Sequence, residues 1–326
     1  MSEGLDPGEF ADSARRAVAA CAGLDMPAAA ARLAADGLLG VMAPEAAGGL
    51  ELGLRFAVPV METAGHELLA FPLLESLLLA AALPEAGPAI ANGELTATVA
   101  WAGAASFRAG RLHGTVGRAP CAVGCGAVLV RLEGGGGAAL VRTDAPGVAV
   151  APSPTLDADA PEYELTLSDA EPAEVLGEAD LSRLDADALV LRSAATLGAA
   201  EACLARAVEH VSTRQQFGRP LVAFQALRHA LARQKLGIEN IRAALLRAAA
   251  AEEGAEGRRA RQVAFVSACQ WGAPAVESAL QLHGGMGFTW DVPVHRHLRQ
   301  VRSWEAQGNV RAVREALADS LLDANA

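Results

Sequence analysis

Apolar residues recur at three- and four-residue spacing over two Ala-rich stretches, residues 9–21 and 26–39, which predicts a pair of helices. Gly40 stops the second. The Pro/Gly-bearing stretch 41–49 then predicts a loop leading into another helical pair, 55–66 and 73–82. Between about residues 94 and 178 the period shortens toward two. Runs at 95–100, 111–116, 127–132, 138–142, 148–150 and 163–167 predict short strands, and the glycines 134–137 predict a hairpin turn between two of them.

From about residue 180 the helical period returns. Leu197, Ala200, Leu204, Val208 and Val211 trace one face, and Phe224, Leu227, Leu231, Ile238, Ile241 and Leu245 a second. Val266, Cys269, Ala273, Val276 and Leu280 trace a third, and a last helix is expected over 309–322. Gly218 followed by Pro220 reads as one helix ending and the next beginning. The expected organisation is mainly α with a central β-domain: helical 1–93, β-rich 94–178 and a helical bundle over 179–326.

Composition narrows the class. The chain has 326 residues, 52% of them hydrophobic, and a net charge of -11, which argues against nucleic acid as a partner. Of its 27 basic residues only Lys235 is lysine, so any phosphate site is expected to be an arginine site. No uninterrupted apolar run of about 18 residues predicts a membrane span, and the first residues do not read as a leader. Five scattered cysteines, with Cys121 and Cys125 the nearest pair, suit a reducing, cytoplasmic setting better than zinc or disulfides.

Two short motifs begin 67 positions apart, at Arg214 and Gln281. In Arg214-Gln215-Gln216-Phe217-Gly218-Arg219-Pro220 a guanidinium at a helix end can grip a pyrophosphate through two parallel hydrogen bonds. Phe217 adds an apolar plate, and Gly218 permits the chain to reverse. In Gln281-Leu282-His283-Gly284-Gly285-Met286-Gly287-Phe288 the Gln281 amide both donates and accepts, while Gly284 and Gly285 let a ligand approach the backbone. Alone, the first motif reads as a helix corner and the second as a helix cap. His283 could touch a ligand or pack equally well. His295 and His297 alternate without a third ligand, so no metal is expected.

As a pair, the motifs resemble the flavin-binding signature of the acyl-CoA dehydrogenase family. Arg214, Gln216, Phe217, Gly218, Pro220 and Gln225 match its Arg motif; Gln281, Gly284, Gly285, Gly287 and Phe288 match its Gln-Gly-Gly motif. Gly37, Pro44, Glu45, Gly48 and Gly49 are similar to an N-terminal stretch of the family, and Pro293 and Arg299 fall where it has a following Pro and Arg. The resemblance implies an N-terminal helical domain, a small β-barrel-like domain and a C-terminal four-helix bundle. It also implies FAD shared across a subunit interface. Arg214, Gln216, Phe217, Gly218, Leu221, Phe224, Gln281, Gly284 and Gly285 would hold the ADP half.

Departures accompany the resemblance. Ala100-Trp101-Ala102-Gly103-Ala104-Ala105-Ser106 stands where the family has a segment rich in acidic and Ser/Thr groups that contacts flavin and substrate. The following flavin-side strand of the family reads here as Gly114-Thr115-Val116-Gly117-Arg118-Ala119-Pro120. The family's catalytic Glu falls on Gly308, or on Gln307 with a one-residue shift, and its second known location falls on Ala188, beside Asp187. Glu305 is the one nearby C-terminal carboxylate and reads as a surface residue. The chain therefore resembles the non-catalytic subunit of a heteromeric acyl-CoA dehydrogenase. That implies a heterotetramer-type oligomer whose partner carries the base, acting on an acyl thioester of CoA or a carrier protein. The alternative is a repurposed fold with a non-redox or scaffold role in a biosynthetic pathway; a helical oligomer with coincidental motifs is the blandest reading.

Overall fold

In a computed structural model the chain forms two compact units, residues 1–60 with 69–188 and residues 61–68 with 189–326. Residues 6–323 are described; the outermost parts of the expected end segments, 1–5 and 324–326, lie outside them.

The first unit begins with helices α1 (Pro7–Ala19) and α2 (Met26–Ala35). Each starts at an aspartate whose carboxylate accepts an orphan backbone N–H: Asp6 from Gly8, and Asp25 from Ala28, both at 2.9 Å. Gly37, at φ +72°, ends the second helical stretch in the left-handed conformation. Helices α3 (Leu54–His66), α4 (Leu73–Ala82) and the short α5 (Gly87–Ala91) follow. In α4 nearly every side chain is buried, Glu75 included.

The β-region holds two four-stranded sheets. Strands β1 (Ala97–Val99), β2 (Ser106–Arg108), β3 (Arg111–Pro120), β4 (Ala127–Arg131), β5 (Ala138–Arg142), β6 (Val148–Pro152), β7 (Glu162–Ala170) and β8 (Glu174–Leu176) are ordered β1-β4-β5-β8 in one sheet and β2-β3-β7-β6 in the other. The glycine run does join an antiparallel pair, β4 and β5, registered Arg131 on Ala138. Inward residues of both sheets, among them Val128, Val130, Val141, Leu112, Val116, Leu165 and Leu167, share one core. Two edge strands, β2 and β8, are only three residues long and were not expected from the sequence. Strand β3 also runs past Val116 because a register shift lets it continue, with Arg118 at φ +52° in the irregularity.

The second unit is helical: α6 (Glu178–Thr213, from residue 189), α7 (Gln225–Ala250), α8 (Ala255–His283), α9 (Val294–Gln307) and α10 (Val310–Asp323). The first and second of these are joined by a two-residue ladder, β9 (Gln215–Gln216) with β10 (Arg219–Pro220). Helix α8 packs against α7, α9 and α10. The end of α3 crosses α6 at backbone distance, since a Cβ on Gly65 would stand 2.0 Å from the Ala195 carbonyl and one on Gly198 1.8 Å from that of Glu62. An 18-residue window of α6 has the length and apolarity of a membrane span, yet 78% of it is buried inside the protein, as befits a core helix. Two expected faces need adjusting: Val208 is exposed, and Phe224, Leu227 and Leu231 are half-buried while Ile238, Ile241 and Leu245 form the packed part of α7.

Candidate functional site

Both motifs lie at helix ends in the second unit. Helix α6 ends at Thr213, and the Arg214 N–H still donates to the His210 carbonyl at 2.9 Å, so Arg214 closes the last turn of the helix. The Leu221 N–H returns to the Arg214 carbonyl at 2.9 Å, closing a hairpin in which Gln216 pairs with Arg219. Its tip, Phe217 at φ +54° and Gly218 at φ +77°, has both central residues left-handed, the type I′ arrangement that matches strand twist. Glycine adopts this without penalty. Phenylalanine does not.

The Phe217 side chain is 87% exposed. Its ring meets Phe224 edge-on at 6.0 Å, and the Arg219 guanidinium lies 4.2 Å from the Phe224 centroid. Arg214, Gln216 and Gly218 are exposed and Leu221 is half-buried, so six of the sequence-predicted residues share one connection between α6 and α7.

Helix α8 ends at His283. Gly284 follows at φ +60° and ψ −138°, a conformation open essentially to glycine alone, with its N–H donating to the Gln281 carbonyl. A Cβ on Gly284 or Gly285 would meet nothing within 4 Å, whereas one on Gly287 would stand 2.7 Å from the Leu280 carbonyl. The turn is therefore packed beneath and open above. Gln281, Met286, Phe288 and Trp290 are exposed around it.

The two ends meet through a pair of rings. His210, one turn before Arg214, stacks on His283 with centroids 4.7 Å apart and planes at 27°. Burial first, then His283 and Arg214, hold the His210 pKa below its ordinary value. Sequence reasoning noticed His283 and overlooked His210. The only available signal was its place one helical turn before the arginine.

The group implied at this place is the ADP end of FAD, and the residues fit it. An exposed guanidinium, an exposed carboxamide, open glycine backbone and flat apolar plates can bind phosphates and a base. The first unit differs where the family resemblance puts the flavin ring. Trp101 donates its indole N–H to Glu75 at 2.9 Å, and Arg131, 6.0 Å from that ring, makes a two-pronged ion pair with Asp185. The one large polar group of the 100–106 segment is thus already engaged with a helix of its own unit.

The positions where the resemblance puts a base hold Gly308, Gln307 and Ala188. Gly308 caps α9, and a Cβ there would lie 2.3 Å from the Phe265 ring. Gln307, Ala188 and Asp187 are buried. Glu305 is not the surface residue expected: it is half-buried and accepts from Arg302 at 2.6 Å, while the same guanidinium reaches Glu277 at 2.6 Å. His295 and His297 are buried on α9, and burial pushes His297 down to about 3. Among the described residues no three metal-binding side chains gather. Cys121 and Cys125 are buried free thiols raised by that burial, Cys121 to about 12.

Residues 183–321 match the family described as acyl-CoA dehydrogenase, C-terminal domain. Acyl-CoA dehydrogenase FadE27 of Mycobacterium tuberculosis (strain ATCC 25618 / H37Rv) is 32% identical over 324 residues, spanning 87% of this chain and 86% of that protein. A Tcur3481-Tcur3483 steroid ACAD G363A variant superposes with a TM-score of 0.87 at 30% identity, over 98% of both chains. The ChsE4-ChsE5 complex from Mycobacterium tuberculosis gives 0.88 at 27% identity over 97% of both. On identity sustained along most of its length, the chain belongs to the acyl-CoA dehydrogenase family.

Proposed function

We propose that this chain is the non-catalytic subunit of a two-chain acyl-CoA dehydrogenase, a heterotetramer or like assembly that oxidises an acyl thioester to its α,β-unsaturated form. One observation carries the reading: the Arg214 and Gln281 motifs converge at a built, open surface, while the positions where the family resemblance puts the base hold Gly308, Gln307 or Ala188, and the nearby Glu305 is ion-paired. When bound, FAD supplies a hydride acceptor for the substrate β-carbon. Arg214 would grip the pyrophosphate, Gln281 and the Gly284–Gly285 backbone would bond the ribose or phosphate edges, and Phe217 would cover the base. The partner would provide the ring site and the Glu that takes the α-proton. Two of the similar structures are of paired chains, which supports a partner. The five buried free cysteines accord with a cytoplasmic setting.

The visible spectrum tests this. The chain purified alone is expected to be colourless, and the chain co-purified with an acyl-CoA dehydrogenase subunit encoded beside it is expected to be yellow and bleached by an acyl-CoA. Stoichiometric flavin in the chain alone, reduced by substrate, would reject the partner requirement. The Trp101–Glu75 contact favours a second reading, a fold turned to non-redox or scaffold use. Under it no flavin accompanies either sample.

A further inference from the structure

We propose that His210 and His283 are positioning residues. Their stacked rings tie the end of α6 to the end of α8, so that the Arg214 hairpin and the Gln281–Gly285 turn face a dinucleotide as one surface. The inference rests on the nucleotide reading above.

Each histidine is joined to its own motif. The His210 carbonyl accepts the Arg214 N–H at 2.9 Å, and the Thr213 hydroxyl donates to it and to the Glu209 carbonyl at 3.3 and 3.0 Å. His283 donates Nδ1–H to the Ala279 carbonyl at 2.8 Å, since a carbonyl can only accept; this fixes the ring and leaves Nε2 unprotonated in the neutral form. The glycine turn rests on that ring's stem, because a Cβ on Gly287 would come within 3.3 Å of His283 Cβ. Moving either ring therefore moves a motif. The two rings are 73 positions apart in sequence (283 − 210), and their stack joins the two motif ends directly.

The stack is suited to neutral rings. His210 faces His283 from α8 and Arg214 from the end of its own helix; Glu209 precedes it on α6, and the Gly284–Phe288 turn brings no charged side chain. A proton on His210 would meet a second imidazole and a guanidinium. Acid should therefore loosen the junction.

The test uses the full chain, amide hydrogen exchange and ADP titration. His210→Ala is expected to speed exchange in both 215–220 and 284–288 and to weaken ADP binding roughly three- to tenfold, the range of an aromatic stacking contact. His210→Phe keeps a stackable ring that cannot be protonated. It should hold exchange near wild type and remove the loss of ADP affinity that sets in as pH falls below about 6.5, the direction in which the depressed His210 takes up its proton. Unchanged exchange at 284–288 in His210→Ala would overturn the proposal. So would faster exchange with unaltered ADP binding, provided Arg214→Ala abolishes that binding. If wild type ignores ADP, or Arg214→Ala binds it equally well, the nucleotide reading fails. The exchange result then still decides whether the pair couples the two ends.

Discussion

Phe217 sits where the backbone disfavours it. A bulky residue at φ +54° is strained by about 1 kcal/mol or more, and an exposed ring recovers little of this by packing. Asn-Gly is the favoured pair for such a turn. Phe217→Asn is therefore expected to raise the stability of the isolated chain by about 0.5–1 kcal/mol in urea unfolding, while flavin retention by the assembly falls. A loss of stability instead would show that the Phe224 contact outweighs the strain. Gly308 has the opposite lesson. Any side chain there must displace Phe265, so Gly308→Ala should cost about 1–3 kcal/mol by overpacking. Gly308→Glu should then yield a less stable chain and no recovered dehydrogenase activity. An active Gly308→Glu chain with unchanged melting would contradict this geometry.

Helices with apolar buried faces were legible in the sequence; those with polar ones were not. Helix α4 was expected at its observed bounds, 73–82. Helix α9 went unassigned because its buried face carries His295, His297, Gln300, Ser303 and Gln307 among only two buried apolar residues, which hides the 3.6-residue period. The three-residue edge strands β2 and β8 were too short to show alternation. At the site, both motifs could be read, whereas the His210–His283 junction depends on how two helices end side by side. The polar interior also predicts a pH response. Burial pushes His297 down to about 3 from 6.5, so below pH 6.5 the unfolded chain takes up a proton the folded one refuses, and stability falls toward pH 3. Burial, with Glu201 nearby, lifts Glu62 from 4.5 to about 7 despite Arg242 at 3.9 Å, so stability falls as pH rises from 4.5 to 7. Between 4.5 and 6.5 the slopes oppose, each at most about 1.4 kcal/mol per pH unit. Stability should be nearly flat there in wild type, should rise with pH in Glu62→Gln and should fall with pH in His297→Asn. Parallel profiles for all three would remove both groups from the account.

At the scale of the whole molecule, the surface that carries the two motifs and the segment where the resemblance puts the flavin ring differ in character. The second unit presents a guanidinium, a carboxamide and open backbone outward; the first turns Trp101, Glu75, Arg131 and Asp185 toward one another. On the proposed reading, such a chain completes its site with a subunit that kept the other half. Each pair of unlike chains should then hold one flavin rather than two. Arg214→Ala in this chain should release it even though the partner is untouched, because a charge-assisted hydrogen bond contributes about 1.5–3 kcal/mol, roughly ten- to hundredfold in affinity. Arg214→Lys should restore only part, since an ammonium lacks the two-pronged geometry. Flavin per pair, measured by absorbance after gel filtration of each complex, decides the matter. One flavin in wild type and almost none in Arg214→Ala places this chain's arginine in the shared site. Two per pair, or full retention without Arg214, would mean that the partner binds its flavin alone.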